Sequence, residues 1–205
     1  HKFEQRREKS DKAKERRDRK ANKKAARREN RRKRNKDFAE AETTTRTCPN
    51  VLGESVEIDY GAVLHYALVP SDPPRSGNGI LCGRLVAEGE GWVGLAVSKN
   101  GGMVGSEAVI GVPGDGTVLK YEMTGKSMEG VTPMSSGKQT LNDTSIELRN
   151  GKTIMEFTKL LVEDGEIPIL EEGINTFLHA RGGDSLEYHR SRLSFAMDFA
   201  DDLAW

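Results

Sequence analysis

The larger part of the sequence predicts an all-β, immunoglobulin-like sandwich, and three observations support this fold class. After residue 54, short apolar stretches recur about every ten residues, and several alternate apolar with polar side chains as strands do. Glycine and proline separate these stretches, and all 22 glycines lie from Gly53 onwards. In this part of the chain, no stretch longer than eight residues has a helical period. Many short strands divided by turns are typical of a sandwich or barrel.

The first strands are read from alternation and from the residues that end them. In residues 55–60, Val56 and Ile58 alternate with Glu57 and Asp59, and residues 62–69 form an apolar run that ends at Pro70. A turn cluster rich in Pro, Ser and Gly follows. Glu-Gly-Glu-Gly then separates the next two strands, and Lys-Asn-Gly-Gly precedes the one after them. The predicted strands here are 80–87, 92–98 and 103–112.

The later strands are recognised in the same way, with one strong turn signal among them. Asn150-Gly151 is a tight-turn pair, so the strands on either side of it form a predicted hairpin, 145–149 with 153–160. A loop rich in Ser, Thr and Gly precedes this hairpin. The other predicted strands are 117–123, the stretch from 140 leading into the hairpin, the short apolar 174–180, and the alternating 193–199.

The formal net charge of zero hides a strong division of the chain. Residues 1–40 contain 19 Lys/Arg and 8 Asp/Glu, a charge of +11, whereas residues 41–205 contain 13 and 24, a charge of −11. The first segment is nearly free of apolar side chains, so we expect a solvated, partly helical or disordered basic tail. Alternatively, it is an arm that contacts an anionic partner such as nucleic acid or phospholipid. Residues 41–54 are a predicted linker, and 55–205 the sandwich domain.

Several catalytic classes find no support in the sequence. The motifs of nucleophile-elbow hydrolases, zinc proteases and Cys-x-x-Cys sites are absent, and Gly130 lies too far from Gly137-Lys138 for a phosphate loop. The many carboxylates are scattered, as on a solvated acidic face. No run of 18 apolar residues predicts a membrane span. A hydrolase or a zinc site therefore finds little support in the sequence.

The two cysteines and one sequon bear on the cellular compartment. Cys48 and Cys82 either form a disulfide that staples the N-terminal segment to the sheet or remain two free buried thiols. Asn142-Asp143-Thr144 is an N-glycosylation sequon. The chain begins with His and lacks a leading apolar segment, so we expect a fragment or a processed form.

Two stretches resemble the DOMON superfamily, which includes the haem domain of cellobiose dehydrogenase and the N-terminal domain of dopamine β-monooxygenase. The first is residues 91–111, in which a Trp-led strand and a Gly-rich turn precede a Met-x-Gly-Ser-x-Ala pattern. The second is residues 177–199, with an Ala-x-Gly-Gly turn and a Tyr-His pair before the last strand. In sequence order the key residues are Trp92, Ser98, Met103, Gly105, Ser106, Ala108, Ala180, Gly182, Tyr188 and His189.

The resemblance implies a non-covalent b-type haem with Met103 and His189 as its two axial ligands. Gly102 would let the backbone approach the macrocycle, and Tyr188 would line the pocket. A six-coordinate iron with Met/His ligation is suited to electron transfer. The alternative is that neither residue binds a metal: Met103 would then be a packing residue of the core and His189 an ordinary surface histidine. His65 and His179 are interpreted as core residues, and Trp92 as a packing residue.

The implied function is the relay of single electrons to or from a redox partner protein or a membrane cytochrome. The alternative is a haem-free sandwich that binds a carbohydrate or a protein. The resemblance thus implies an electron-transfer or binding domain rather than an enzyme by itself, and no small-molecule substrate is assigned. The resemblance, the candidate disulfide and the sequon together indicate a secreted, lumenal or membrane-tethered position on the extracytoplasmic side.

Overall fold

A computed structural model describes residues 47–59, 61–70 and 78–200 of the chain. The predictions for the basic tail of residues 1–40 lie outside this range, as does the first part of the predicted linker. Within the described ranges, no helix is long and apolar enough to cross a membrane.

Two antiparallel sheets form a sandwich, which confirms the predicted fold class. The five-stranded sheet has the order β1-β2-β3-β9-β8 and the six-stranded sheet the order β11-β10-β4-β5-β6-β7. The strands are β1 Glu54–Asp59, β2 Ala62–Val69, β3 Ile80–Glu88, β4 Val93–Val97, β5 Ser106–Val112, β6 Thr117–Met123, β7 Val131–Pro133, β8 Asn142–Arg149, β9 Lys152–Leu160, β10 Ile174–Arg181 and β11 Ser191–Asp198.

The main core lies between the sheets and follows from side-chain alternation. Leu64, Leu85 and Met155 are fully buried on the five-stranded sheet, and Leu95 and Phe177 face them from the other sheet. Because neighbouring residues of a strand point to opposite faces, the remaining side chains of β4, β5 and β10 lie on the far side of the six-stranded sheet. This second apolar layer, called the outer face below, consists of Trp92, Ala96, Ala108, Ile110, Val112, Tyr121 and Met123.

Most strand predictions are confirmed, and the hairpin prediction holds in detail. β2 and β6 have the predicted bounds, and Arg149 pairs with Lys152 across a two-residue turn. Asn150 and Gly151 both have positive φ, 54° and 73°, as this tight turn requires. The short strand β7 was not predicted, because a run of three residues carries no readable period.

Two predictions about individual positions are wrong. Met103 was placed at the start of a strand, but β5 begins only at Ser106 and Met103 lies in the preceding turn. His65 was interpreted as a core residue, but it is only half-buried, while its neighbours Leu64 and Tyr66 face the core. The predicted alternation of β2 is correct, but the face that carries His65 was assigned to the interior instead of the face that carries Leu64 and Tyr66.

The interpretation of the acidic residues as a solvated face is also wrong at two positions. The side chains of Glu163 and Glu166 are only 7% and 3% exposed. They meet two equally buried amines, those of Lys120 and Lys159. We call these four residues the buried ion cluster. Two positive and two negative charges balance, as buried charges require.

The predicted disulfide is confirmed. Cys48 is bonded to Cys82 of β3, with a Cα–Cα distance of 5.8 Å. Cys82 is 1% exposed, so the link fixes part of the predicted linker directly to the middle strand of the five-stranded sheet.

Candidate functional site

The turn that carries Met103 is shaped by two serines from its two ends. Ser98 follows β4 and Ser106 begins β5, and their hydroxyls donate hydrogen bonds to the carbonyl of Gly102, at 2.9 and 2.6 Å. The Gly102 amide donates in turn to the Asn100 side chain at 2.9 Å. Both serines are at least 95% buried, whereas Asn100 is exposed. The backbone immediately before Met103 is therefore held firmly.

Met103 itself is half-buried and packs against the outer face. The left-handed conformation of Gly105, with φ of 83°, turns the chain back into β5, and its amide bonds the carbonyl of Met123 at 2.7 Å. The thioether thus lies at the apolar layer and not among the side chains between the two sheets.

His189 lies in the connection between β10 and β11 and is half-buried. Its ring lies against the ring of Tyr188, with a centroid separation of 4.4 Å and an interplanar angle of 40°. Its Nε2 atom is 3.3 Å from Nη1 of Arg192. A guanidinium can only donate, so Nε2 of His189 accepts this hydrogen bond. Tyr188 is 69% exposed and leaves most of its own surface to solvent.

The two stretches that carry the resemblance contact each other directly. The amide of Trp92 donates to the carbonyl of Gly183, and the amide of Gly182 donates to the carbonyl of Trp92. A Cβ atom on Gly182 would lie 2.0 Å from the indole nitrogen of Trp92, and one on Gly91 would lie 2.3 Å from the Gly182 carbonyl oxygen. Glycine is therefore required at both positions by the close approach of the two turns.

The Met103 turn follows the last residue of β4, whereas the His189 turn, which connects β10 to β11, lies beside the first residue of β4. Val97, at the Met103 end, pairs with Phe177, whereas Val93, at the other end, pairs with Arg181 next to the His189 turn. A five-residue strand spans about 14 Å between its ends. Both turns nevertheless cover the outer face, because Met103 packs on it from one side and Leu186 from the other.

The residues of this face fit a flat, apolar cofactor such as haem in their chemistry. Small residues line the centre, namely Gly94, Ala96, Ala108 and Ala180, and the larger Trp92, Ile110 and Tyr121 surround them. A thioether and an imidazole are accepted haem ligands. His189 offers its Nε2 lone pair only when the hydrogen bond from Arg192 is released.

His179 occupies a different environment and confirms its interpretation as a core residue. It is 1% exposed, and its Nδ1 atom donates to the Gly94 carbonyl at 3.1 Å. Within the described part of the chain, its Nε2 atom has no hydrogen-bond partner. Burial lowers the pKa of His179 below the usual value for histidine, although the bond to Gly94 opposes the shift. A neutral imidazole is the stable form here.

Of the remaining predicted residues, Trp92 belongs to this face and Asn142 lies apart from it. Trp92 is 5% exposed and packs as predicted. Asn142 is exposed at the start of β8, an edge strand, where a glycan could be attached. Among the described residues, no three His, Cys, Asp or Glu side chains are grouped as metal ligands would be.

Sequence reasoning missed two features of the site. Arg192 was not singled out, although its spacing of three residues from His189 on a turn leading into a strand was a readable signal. The joint action of Ser98 and Ser106 on Gly102 was also missed, because the resemblance marked the serines without giving them a contact.

No protein family model matches the chain. Among solved structures, the chain is similar to the crystal structure of the cytochrome b domain of pyranose dehydrogenase from Coprinopsis cinerea, with a TM-score of 0.47 and 14% sequence identity. The match covers 68% of this chain and 77% of that chain.

Proposed function

We propose that the sandwich domain binds a b-type haem non-covalently and relays single electrons to or from a redox partner, with Met103 and His189 as the axial ligands. The observation that carries the proposal is the arrangement of the two signature turns. The sequence stretches that contain these turns contact each other through Trp92 and Gly182. The Met103 and His189 turns lie at opposite ends of β4, and both cover one apolar face whose centre is lined by small residues. The sequence resemblance supplies the identity of the cofactor.

Each ligand candidate has a support that suits it to its role. Met103 follows a backbone carbonyl that accepts hydrogen bonds from two buried hydroxyls. His189 lies between the Tyr188 ring and the Arg192 guanidinium, both on the surface. When bound, the haem would supply a one-electron couple, and methionine ligation raises its potential relative to two nitrogen ligands.

Absorption spectroscopy tests the proposal. The full chain is purified, supplied with haem and then reduced, and a sharp α-band at the b-type position is expected. Met103→Ala and His189→Ala should each abolish or shift this band. Met128→Ala and His65→Ala are matched controls, because Met128 is 40% exposed and His65 lies on the other sheet. Absence of the band in the parent chain, or an unchanged band in both ligand variants, contradicts the proposal.

A second candidate function, binding of a polar ligand such as a carbohydrate, is favoured by a separate observation. A cleft of about 400 Å³ lies at one end of the sandwich, which is within the usual size range of ligand sites. Groups of both charges line it, including Glu88, Glu90, Arg181 and Arg190, next to Trp92. Sugar binding that survives Met103→Ala and His189→Ala, in a chain that takes up no haem, would support this function.

A further inference from the structure

We propose that Arg192 is a positioning residue, which holds His189 through a hydrogen bond from its guanidinium to Nε2 of the imidazole. This hydrogen bond must break before His189 can bind a haem iron through Nε2. The inference rests on the proposed function, since it concerns the accessibility of the same imidazole. Beyond that function, it states that the Arg192 guanidinium competes with the haem iron for Nε2 of His189.

The geometry places Arg192 where it can compete. Arg192 pairs with Ala180 across the β10–β11 ladder, so its side chain leaves the sheet on the same side as the outer-face residue Ala180. From there Nη1 reaches to 3.3 Å from Nε2 of His189. The distance is long for a hydrogen bond and the pair is exposed, so the contact is weak enough to be displaced by a metal.

A second contact limits the movement of the imidazole. The Tyr188 ring lies 4.4 Å from it, centroid to centroid, and Arg192 occupies its Nε2 atom. With Nε2 accepting, a neutral His189 carries its proton on Nδ1, which is the tautomer that leaves Nε2 free for a metal once Arg192 withdraws. Arg192 therefore selects the ligand-competent tautomer and at the same time blocks its lone pair.

Arg190 provides a matched control from the same turn. It is an exposed arginine directly after His189 in the sequence, it lines the cleft described above, and among the described contacts its side chain has no hydrogen bond to His189. Substitution of either arginine removes one positive charge from the same region. A difference between the two variants therefore reports the specific contact and not the local charge.

The first measurement uses the haem-free full chain, labelled with ¹⁵N at histidine, at about pH 8 where a free imidazole is neutral. In the parent chain we expect His189 to be mainly protonated on Nδ1. In Arg192→Leu the balance should shift toward protonation on Nε2, and Arg192→Lys, which keeps a charged donor, should restore part of the parent signal. Arg190→Leu should leave the signal unchanged. The same tautomer ratio in the parent chain and Arg192→Leu would overturn the inference.

The second measurement is a titration of the same variants with haem. Loss of one weak, exposed hydrogen bond should increase the affinity of Arg192→Leu about two- to tenfold over the parent chain. Arg190→Leu should bind as the parent does. Equal or weaker binding by Arg192→Leu, in a chain whose haem binding is lost in His189→Ala, overturns the role of Arg192 and leaves the proposed function standing. Absence of haem binding in every variant overturns the proposed function and this inference with it.

Discussion

Replacement of Lys120 by methionine removes one charge from the buried ion cluster while it keeps a side chain of similar length. The Lys120 ammonium lies 2.6 Å from a Glu166 oxygen and 2.9 Å from a Glu163 oxygen, and its side chain is 2% exposed. In Lys120→Met, two buried carboxylates share the single amine of Lys159. Breaking a buried pair in this way costs about 3–5 kcal/mol, because it leaves a charge without compensation.

The contacts of this cluster show why the Glu163 carboxylate stays ionised in the parent chain. Burial by itself raises the pKa of Glu163, but hydrogen bonds from Lys159, Thr140 and Lys120 outweigh it, so that the pKa of Glu163 is lowered. A cavity of about 20 Å³ beside Lys120 has room for roughly one water molecule, which can rehydrate the carboxylates only in part. We therefore expect a loss near the lower end of the range, about 3 kcal/mol.

Urea unfolding of the full chain at neutral pH measures the effect, with Arg84→Met as the matched control. Arg84 pairs with Glu156 at 2.6 Å, but the two side chains are 47% and 37% exposed, so its loss should cost at most about 1 kcal/mol. The double variant Lys120→Met/Glu166→Leu restores the charge balance and should be more stable than Lys120→Met alone. Equal losses in Lys120→Met and Arg84→Met, or no recovery in the double variant, would refute the reasoning.

Two further predictions concern the disulfide and the buried histidine. Cys48→Ser removes a link across a sequence separation of 34 residues and should lower the free energy of unfolding by about 4 kcal/mol; reducing agent should destabilise the parent chain similarly but leave the variant unchanged in the same urea titration. His179 has a lowered pKa in the folded state, so the unfolded chain binds more protons below about pH 6.5 and stability falls as the pH is lowered through that range. His179→Gln should show a smaller loss of stability between neutral and acid pH than the parent or the control His65→Gln, and equal slopes would contradict the assignment.

The strand pattern shows how far local sequence determines this fold. Alternation in β1, the apolar runs of β2 and β6, and the Asn150-Gly151 turn predict the strands and the hairpin without tertiary information, because their signals come from neighbouring residues. The pattern does not say which face of a strand is interior. His65 was assigned to the core for that reason, and only the second sheet decides that Leu64 and Tyr66 are buried instead.

The sequence left open whether the two cysteines form a disulfide or remain free thiols, and their proximity in the fold decides for the disulfide. Cys48 and Cys82 are far apart along the chain, and the packing of the N-terminal segment across β3 brings them together. The division of charge between the two parts of the chain, in contrast, is a property of composition alone. It describes the +11 segment and the −11 remainder equally well whether or not either is folded.

For the candidate site, the sequence by itself supplied the candidate ligands Met103 and His189, since the resemblance lies in short local motifs. Tertiary structure decided what surrounds them: the Gly182–Trp92 contact between the two motifs, the serine bonds to Gly102, and the Arg192 donor at His189. It also buried Glu163 and Glu166, which composition alone assigned to a solvated surface. The physical reason is the same in each case. A motif consists of residues that are close together in the sequence. The burial and hydrogen bonding of those residues depend on which distant strands and turns lie beside them in the fold.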